Sequence, residues 1–229
     1  MKRLFDIIAS LCLIVIFSPV LFLIATLVRA TSFGPFLFTQ DRIGLRGRVF
    51  KMYKFRTMYV DSEKLGTGLF SFKDDPRITP IGAVLRRFSF DELPQLFNVL
   101  SGSMSLVGPR PPVTYELGPW NEYTPHMRKR FNVRPGITGL AQVTGRNDLS
   151  WDNKIDLDNL YVDRLTKHGF LADIPILIKT FFIVLSARNV IETYNNSSTS
   201  SSHSLSTVAE RAYIASNLHD LPASSDSDN

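Results

Sequence analysis

Two adjacent carboxylates, Asp91 and Glu92, are the residues of this sequence best suited to chemistry. They stand at the predicted start of a short helix over 93–100, where free N–H groups and partial positive charge attract phosphate. The same field keeps Asp91 ionised and so able to attack a phosphorus atom. The side chain of Glu92 points about 100° away from it and can hold Mg²⁺ through its carboxylate oxygens. A capping box formed by Ser89 and Glu92 is the structural alternative, because acidic residues in a first helical turn often only complement the helix dipole.

Several arginines on either side of this pair in the sequence are suited to phosphate. Arginine held in a rigid turn makes bidentate contacts to phosphate oxygens, and several of these residues lie beside glycine or proline. The set comprises Arg86, Arg87, Arg110, Arg134 and Arg146. Each alone is typical of a solvated surface residue, whereas together they favour a polyphosphate substrate.

The composition indicates a folded, basic chain and excludes several kinds of site. The 229 residues are 44% hydrophobic and carry a net charge of +5, which excludes disorder of the whole chain. A single cysteine, Cys12, excludes an intrachain disulfide and a cysteine-based zinc site. The sequence contains no nucleotide-binding glycine loop, nucleophile elbow or zinc signature.

The excess positive charge lies between residues 29 and 60, where seven basic residues occur with one acidic residue. Aromatic residues are interleaved with them, a mixture that suits nucleic acid, anionic lipid headgroups or nucleotide phosphates. Because this stretch follows an apolar segment, headgroups are favoured over nucleic acid. Residues 49–56 alternate loosely with period two, which predicts a strand or hairpin arm that carries Lys54 and Arg56.

An uncharged apolar segment over 7–28 is predicted to enter a membrane. At about 1.5 Å per residue it is long enough to cross a hydrocarbon core about 30 Å thick. Basic residues on both flanks and the Ser18-Pro19 break midway favour a re-entrant helix, since positive flanks mark the cytoplasmic side. Ser18 is expected to donate a hydrogen bond to a carbonyl that the proline leaves free. A single span kinked at Pro19 is the alternative, and the length of the segment disfavours a cleaved signal peptide.

The remaining patterns predict a mostly helical α/β domain. Short helices are predicted over 81–88 and 93–100, with longer helical segments over 115–131 and over 150–185, the latter broken at Pro175. A turn-rich strand is predicted over 134–146. The expected organisation is therefore a re-entrant membrane helix over 1–30, a catalytic domain over 31–194, and a serine-rich, disordered tail over 195–229 that cannot bury a core.

Four ordered blocks of the sequence resemble the bacterial sugar transferases known as monotopic phosphoglycosyl transferases. The blocks are residues 1–6 followed by Ser18-Pro19, residues 54–58, Asp91-Glu92-Leu93-Pro94-Gln95-Leu96 continuing to 103–111, and residues 134–139. A weaker fifth match includes Leu157-Asp158, Tyr161-Val162, Asp173-Ile174 and Lys179-Thr180, with a departure from the expected pattern at Arg164-Leu165-Thr166. The resemblance covers roughly residues 1–190 and is most specific in the third block.

The resemblance implies a re-entrant helix and a compact catalytic domain on the cytoplasmic face of the bacterial inner membrane. The implied reaction transfers a sugar 1-phosphate from a UDP-sugar to polyprenol (undecaprenyl) phosphate and releases UMP. It is the first membrane step of polysaccharide or glycoconjugate assembly, whose product downstream glycosyltransferases would extend. Asp91 is implied as the nucleophile, through a covalent phosphosugar-aspartyl intermediate, and Glu92 as the Mg²⁺ ligand.

Charge and motif position predict further substrate-binding residues. They are Lys54, Arg56, Arg87, Arg110, Arg134, Arg146 and Asp158. The lipid bilayer is an expected partner of such an enzyme and nucleic acid is not. A membrane-anchored scaffold that binds anionic lipid or RNA is the alternative from another class, and it predicts salt-sensitive binding without UMP release. A retaining glycosidase fits poorly, because adjacent residues seldom place carboxyl groups about 5 Å apart across a sugar.

Overall fold

The structure of the chain is a computed structural model that describes residues 1–62, 75–145 and 149–186. The predicted tail over 195–229 lies outside these residues, as does Arg146 of the predicted substrate site. The described part is mostly helical, with two small sheets, and this agrees with the predicted mostly helical α/β class.

The apolar segment forms one continuous helix, α1 (Lys2–Thr31), with Pro19 inside it. The Ser18 Oγ donates a hydrogen bond to the Val15 carbonyl at 2.8 Å. Proline has no N–H, so the carbonyl four residues before Pro19 loses its helical donor, and that carbonyl belongs to Val15. The hydrogen bond expected of Ser18 is therefore confirmed. The helix continues through Ser18-Pro19, where the serine hydroxyl supplies a donor to the Val15 carbonyl.

The basic, aromatic stretch forms an antiparallel hairpin of β1 (Leu37–Ile43) and β2 (Val49–Phe55). Leu37 pairs with Phe55 at the open end and Ile43 pairs with Val49 at the turn. The predicted hairpin arm over 49–56 is thus confirmed, and the strand places Lys54 near its end.

The second sheet joins two short segments that are distant in sequence. β3 (Ser105–Val107) pairs in parallel with β4 (Gly136–Thr138). The backbones approach so closely that a Cβ at Gly136 would lie 2.0 Å from the Gly108 nitrogen, which explains a glycine at this position.

Short helices fill most of the remaining described chain. In order they are α2 (Pro80–Arg87), α3 (Gln95–Ser101), α4 (Pro125–Lys129), α5 (Leu140–Thr144), α6 (Trp151–His168) and α7 (Ile174–Leu185). The predicted helices over 81–88 and 93–100 correspond to α2 and α3.

Three predicted segments differ from the observed elements. Within 115–131 the only α-helix is α4, which begins at Pro125, where a missing N–H costs no helical bond. The segment 134–146 holds the three residues of β4 and then α5, so most of it is not strand. The helical stretch 150–185 changes direction at the turn Gly169–Asp173, where Gly169 adopts φ 57°. Pro175 does not cause this break, because it lies in the first turn of α7, where proline is tolerated.

Both ends of α1 pack on the domain that follows it. Near its start, Asp6 is buried and accepts hydrogen bonds from the Ser105 Oγ at 2.8 Å and the Leu106 N–H at 3.2 Å. Near its end, Ile24 and Val28 join Phe55 of β2 and Leu85 of α2 in one buried cluster. The helix therefore lies along the domain rather than leading away from it.

The main core lies beneath the first half of α1 and is tied together by one buried hydroxyl. Val99 and Met104 are fully buried there with Tyr161 of α6. The Tyr161 hydroxyl donates to the Val107 carbonyl at 3.0 Å and to Asp173 at 2.8 Å. The Lys2 ammonium also pairs with Asp173, so this contact reaches the first turn of α1.

Within the described residues, two segments are long and apolar enough to cross a membrane, judged by length and composition alone. They are Lys2–Thr31, which is α1, and Trp151–Leu185, which comprises α6, the turn after it and α7. The second segment changes direction within its length at Gly169–Asp173, so its length overstates the reach of either helix.

We expect Tyr161→Phe to destabilise the protein by about 2 kcal/mol, because a hydrogen bond to a buried charged group is lost while the ring packing is kept. Urea unfolding of the detergent-solubilised chain, followed by tryptophan fluorescence, measures this change. Tyr59→Phe is the matched control, since Tyr59 is 47% exposed. An equal, small effect in the two variants would contradict the assigned role of the Tyr161 hydroxyl.

Candidate active site

A cleft of about 390 Å³ opens between the β1–β2 hairpin and the turn before α3. Its charged lining is predominantly basic. The basic residues are Arg42, Lys54, Arg56, Arg86 and Arg110, and the acidic residues are Asp61, Asp91 and Glu92. The structure thus brings together five of the predicted site residues, namely Lys54, Arg56, Asp91, Glu92 and Arg110.

Asp91 and Glu92 lie on a 3₁₀ turn, Phe90–Glu92, and not at the start of α3. Ser89, which precedes the turn, has φ 57° and makes no side-chain cap, so the predicted capping box is wrong. A capping residue needs an extended backbone to aim its hydroxyl at the next N–H groups, and the left-handed conformation of Ser89 prevents this. Helix α3 begins only at Gln95, so the two carboxylates are presented by a turn.

The two carboxylates differ in their contacts. The Lys54 ammonium donates to Glu92 Oε1 at 2.8 Å, and Arg110 approaches the same oxygen at 3.3 Å. The nearest Asp91 oxygen lies 4.0 Å from the Lys54 nitrogen, too far for a hydrogen bond. The Asp91 side chain is only 13% exposed, yet it forms no hydrogen bond with any residue in the described part of the chain. It is therefore a nearly buried carboxylate whose oxygens accept no hydrogen bond from the described residues.

Burial and charge move the pKa values of the two carboxyl groups in opposite directions. Burial raises the pKa of Asp91 above its usual value, and Lys54 offsets this only in part. Burial also acts to raise the pKa of Glu92, but the charges and hydrogen bonds of Lys54 and Arg110 outweigh it and hold the pKa at about 2. Glu92 is thus an anion throughout the physiological range, while Asp91 is the carboxylate that more readily takes a proton.

Two arginines of the cleft, Arg42 and Arg86, were not among the predicted substrate-binding residues, although Arg86 was counted among the arginines suited to phosphate. Arg42 of β1 donates to the Pro111 carbonyl at 2.9 Å, and burial together with the charge of Arg110 lowers its pKa to about 10, so it stays charged at neutral pH. Arg86 of α2 donates to the Thr57 hydroxyl at 2.9 Å and lines the cleft. The prediction named Arg87 instead, and its guanidinium lies over the Phe88 ring, 5.8 Å from the centroid, outside the cleft lining.

The position of Arg42 in the cleft could have been predicted from the alternation of side chains along β1. Gln40 and Arg42 lie two residues apart on β1, and Phe38, two residues earlier, pairs with Lys54. Side chains two apart on a strand share a face, so a predicted β1 would have placed Arg42 on the same face of the hairpin as Lys54. For Arg86 rather than Arg87 there is no comparable signal, because the choice depends on how α2 is rotated.

Other predicted substrate-binding residues have structural partners. The Arg56 guanidinium lines the cleft but is held by the Ser32 and Phe33 carbonyls at 2.8 Å, at the end of α1. Arg134 donates to the Gly102 carbonyl at 2.8 Å and does not line the cleft.

Asp158 also lies outside the cleft lining. It is buried on α6 and pairs with the Arg130 guanidinium at 2.7 Å. A direct substrate contact by Asp158 would require this pair to open, so its placement favours a supporting role.

The described residues contain no cluster of three or more histidine, cysteine, aspartate or glutamate side chains that could hold a metal ion by itself. Mg²⁺, however, is commonly held by one or two carboxylates together with the phosphates of a substrate. Glu92, with a pKa of about 2 and a second carboxylate oxygen that makes no hydrogen bond to a described residue, fits such a role.

Comparison with known proteins gives consistent results. A family model described as bacterial sugar transferase matches residues 1–187. The undecaprenyl-phosphate galactose phosphotransferase of Salmonella typhimurium is 40% identical over 199 residues, covering 81% of this chain and 40% of that protein. The undecaprenyl-phosphate glucose phosphotransferase of Komagataeibacter xylinus is 45% identical over 167 residues, which cover 69% of this chain and 31% of that protein. The uncharacterised sugar transferase EpsL of Bacillus subtilis is 42% identical over 193 residues, which cover 84% of this chain and 91% of that protein. The chain thus spans less than half of the first two proteins and most of the third.

We expect Lys54→Met to raise the pKa of Asp91 further and to raise that of Glu92 from about 2, because the positive charge nearest to both carboxylates is lost. Carboxyl-¹³C NMR titration of the labelled chain measures both values, with Asp91→Asn assigning the resonance. Lys51→Met is the matched control, since Lys51 is an exposed lysine of the same strand whose partner is Asp41. An unmoved Asp91 titration in the folded Lys54 variant would contradict this electrostatic assignment.

Proposed function

The chain belongs to the bacterial sugar transferase family, and we propose that it transfers a sugar 1-phosphate from a UDP-sugar to a polyprenol phosphate, releasing UMP. The observation that carries the proposal is the Asp91 carboxylate, which is nearly buried in a basic cleft and forms no hydrogen bond with a described residue. A carboxylate not engaged by the protein, in a field that attracts diphosphate, is suited to attack phosphorus. The names of the Salmonella and Komagataeibacter relatives support undecaprenyl phosphate as the acceptor class.

The first step forms a bond from an Asp91 oxygen to the phosphorus that carries the sugar. The bond between that phosphorus and the oxygen bridging the two phosphates breaks, and its electron pair leaves with UMP. The sugar phosphate is then held as a mixed anhydride on Asp91. Since the carboxylate must be ionised to attack, the raised pKa of Asp91 places the loss of this step on the acid side of the pH profile.

In the second step a phosphate oxygen of the lipid acceptor attacks the same phosphorus. The anhydride bond breaks, the carboxylate is restored, and the product is a polyprenyl diphosphate that carries the sugar. Arg42, Arg86 and Arg110 stabilise the charge that develops on the phosphate oxygens in both steps, and Lys54 holds Glu92 in place.

We assign Mg²⁺ as the cofactor, with Glu92 as its protein ligand and substrate phosphates as further ligands. When bound, the ion would neutralise charge on the diphosphate and help UMP to leave. Its binding competes with Lys54 and Arg110 for the Glu92 carboxylate, so their contacts are expected to loosen when the site is loaded.

We expect Asp91→Asn to lower turnover by about 10⁴-fold or more while the fold is kept, because the amide cannot attack phosphorus. With UDP-sugar and Mg²⁺ but no acceptor, the parent protein should release about one UMP per chain and gain the mass of one phosphosugar. Intact-protein mass spectrometry and UMP measurement over a panel of UDP-sugars test both expectations.

Asp163→Asn is the control for this experiment, because Asp163 is 62% exposed and pairs with Lys129 on the surface. It should retain turnover and the mass gain. Parental turnover in Asp91→Asn would overturn the nucleophile assignment. Absence of UMP release from the parent protein with every UDP-sugar would instead favour a non-catalytic scaffold.

We further propose that α1 is re-entrant and that the domain lies on the cytoplasmic face of the inner membrane. The support comes from the first two turns of α1, where Lys2 pairs with Asp173 and Asp6 is bonded to Ser105. If α1 spanned the bilayer, its first turn and the domain would lie on opposite sides, and these contacts would be lost. Their polar groups would then need other partners, because unsatisfied polar groups in hydrocarbon cost several kcal/mol.

Cysteine labelling tests the topology in a Cys12→Ala background. A cysteine inserted after Met1 and a Ser101→Cys probe on the domain should both resist a membrane-impermeant maleimide in spheroplasts and react after permeabilisation. Labelling of the N-terminal probe alone from outside would show a span. Replacing Ser18 with Ala and Pro19 with Leu should favour the span and lower turnover, because the straightened helix no longer holds both ends on one side.

A further inference from the structure

A second cavity, of about 350 Å³, lies between α5, α6 and α7 and shares no lining residue with the cleft. Its walls are mainly apolar. They include Leu140, Val143, Leu171, Ala172, Pro175 and Ile176. The volume falls within the range of cavities that bind small molecules, which is about 300–1,000 Å³.

Three basic side chains line the same cavity. Arg164 and His168 are four residues apart on α6 and therefore share a helix face, and Lys179 lies across from them on α7. None of the three forms a hydrogen bond or an ion pair with a residue in the described ranges. These three residues are exposed and have no acidic partner among the described residues, and basic groups around an apolar cavity favour an anion that also carries an apolar part.

Exposed apolar residues lie beside the cavity. Phe182 of α7 is 64% exposed and shares a helix face with Lys179, because residues three apart on a helix are neighbours. Leu171 is 58% exposed and lines the cavity itself. Exposed apolar side chains at and beside the cavity are expected of a surface that meets lipid.

We propose that the cavity binds one anionic phospholipid of the bilayer. Its phosphate group would contact Arg164, His168 and Lys179, and the first carbons of an acyl chain would pack on Leu140, Val143 and Ile176. The apolar lining favours a lipid over free phosphate. The polyprenol phosphate acceptor fits this cavity less well, because its phosphate must reach Asp91 in the other cleft. Only this comparison of ligands rests on the proposed function.

Lipid retention by the purified full chain tests the proposal without any sugar donor. The chain in non-ionic detergent is mixed with dioleoylphosphatidylglycerol or with uncharged dioleoylphosphatidylcholine, and bound lipid is counted by native mass spectrometry. We expect one phosphatidylglycerol per chain and no comparable retention of phosphatidylcholine. Arg164→Gln combined with Lys179→Gln should lower phosphatidylglycerol retention at least about tenfold.

The matched control removes the same charge outside the cavity. Arg48→Gln combined with Lys167→Gln alters two exposed basic residues, one of them on α6, and should retain the lipid. Equal losses in the two double variants would overturn the proposal in favour of general electrostatic attraction. Ala172→Phe fills the cavity and keeps every charge, so undiminished retention in this folded variant would also overturn it.

Competition identifies the ligand class. Neither inorganic phosphate nor undecaprenyl phosphate, at equal concentration, should displace phosphatidylglycerol. Displacement by inorganic phosphate would show a simple anion site. Stoichiometric displacement by undecaprenyl phosphate would show an acceptor site. Either result would overturn the proposal. UMP release by the same preparation is measured separately, so failure of lipid retention is distinguishable from failure of the transfer reaction.

Discussion

The buried polar contact between the first turn of α1 and the core determines how the rest of the structure is arranged. Asp6 is a carboxylate in an otherwise apolar helix, and it is buried only because the Ser105 hydroxyl and the Leu106 N–H both donate to it. Ser105 and Leu106 belong to β3, and five residues after Ser105 the same stretch supplies Arg110 to the cleft. The contact that fixes the start of the membrane helix therefore also fixes the strand from which a cleft arginine extends.

The far end of α1 is connected to the cleft in the same way. The Arg56 guanidinium holds the Ser32 and Phe33 carbonyls just after the helix, and Lys54 lies two residues before it on β2. Both ends of one apolar helix are thus bonded to segments that line the cleft. A cleft coupled to such a helix at two points keeps a fixed height above whatever surface the helix enters, and the proposed reaction between a nucleotide sugar and a lipid phosphate would require this.

Much of the cleft could be predicted from the sequence, and the errors have a common physical origin. Asp91, Glu92, Lys54 and Arg110 meet as expected, because adjacency, strand alternation and a glycine-proline turn are local properties. Arg134 was expected at phosphate for similar local reasons, but it instead bonds the Gly102 carbonyl.

Whether an arginine in a turn faces a ligand or a backbone carbonyl depends on tertiary packing, which the local sequence does not encode. The placement of α1 also depends on tertiary packing. The apolar length and the central proline of this helix were evident from the sequence, but its contacts with the domain were not. The contacts that connect both of its ends to the domain join residues about 100 positions apart, as between Asp6 and Ser105.

The support of Arg110 shows how the fold separates a fixed backbone from an accessible side chain. The Arg130 guanidinium donates to the Arg110 carbonyl at 2.7 Å and is itself held by Asp158 at 2.7 Å. The Trp151 ring lies 5.4 Å from Arg130 and completes this buried support. The Arg110 side chain, in contrast, is 45% exposed and reaches Glu92 at 3.3 Å. Under the proposed reaction Arg110 exchanges a carboxylate for incoming phosphate, and this combination suits such an exchange, because a rigid backbone limits the entropy lost on binding while the half-exposed guanidinium is accessible to the substrate.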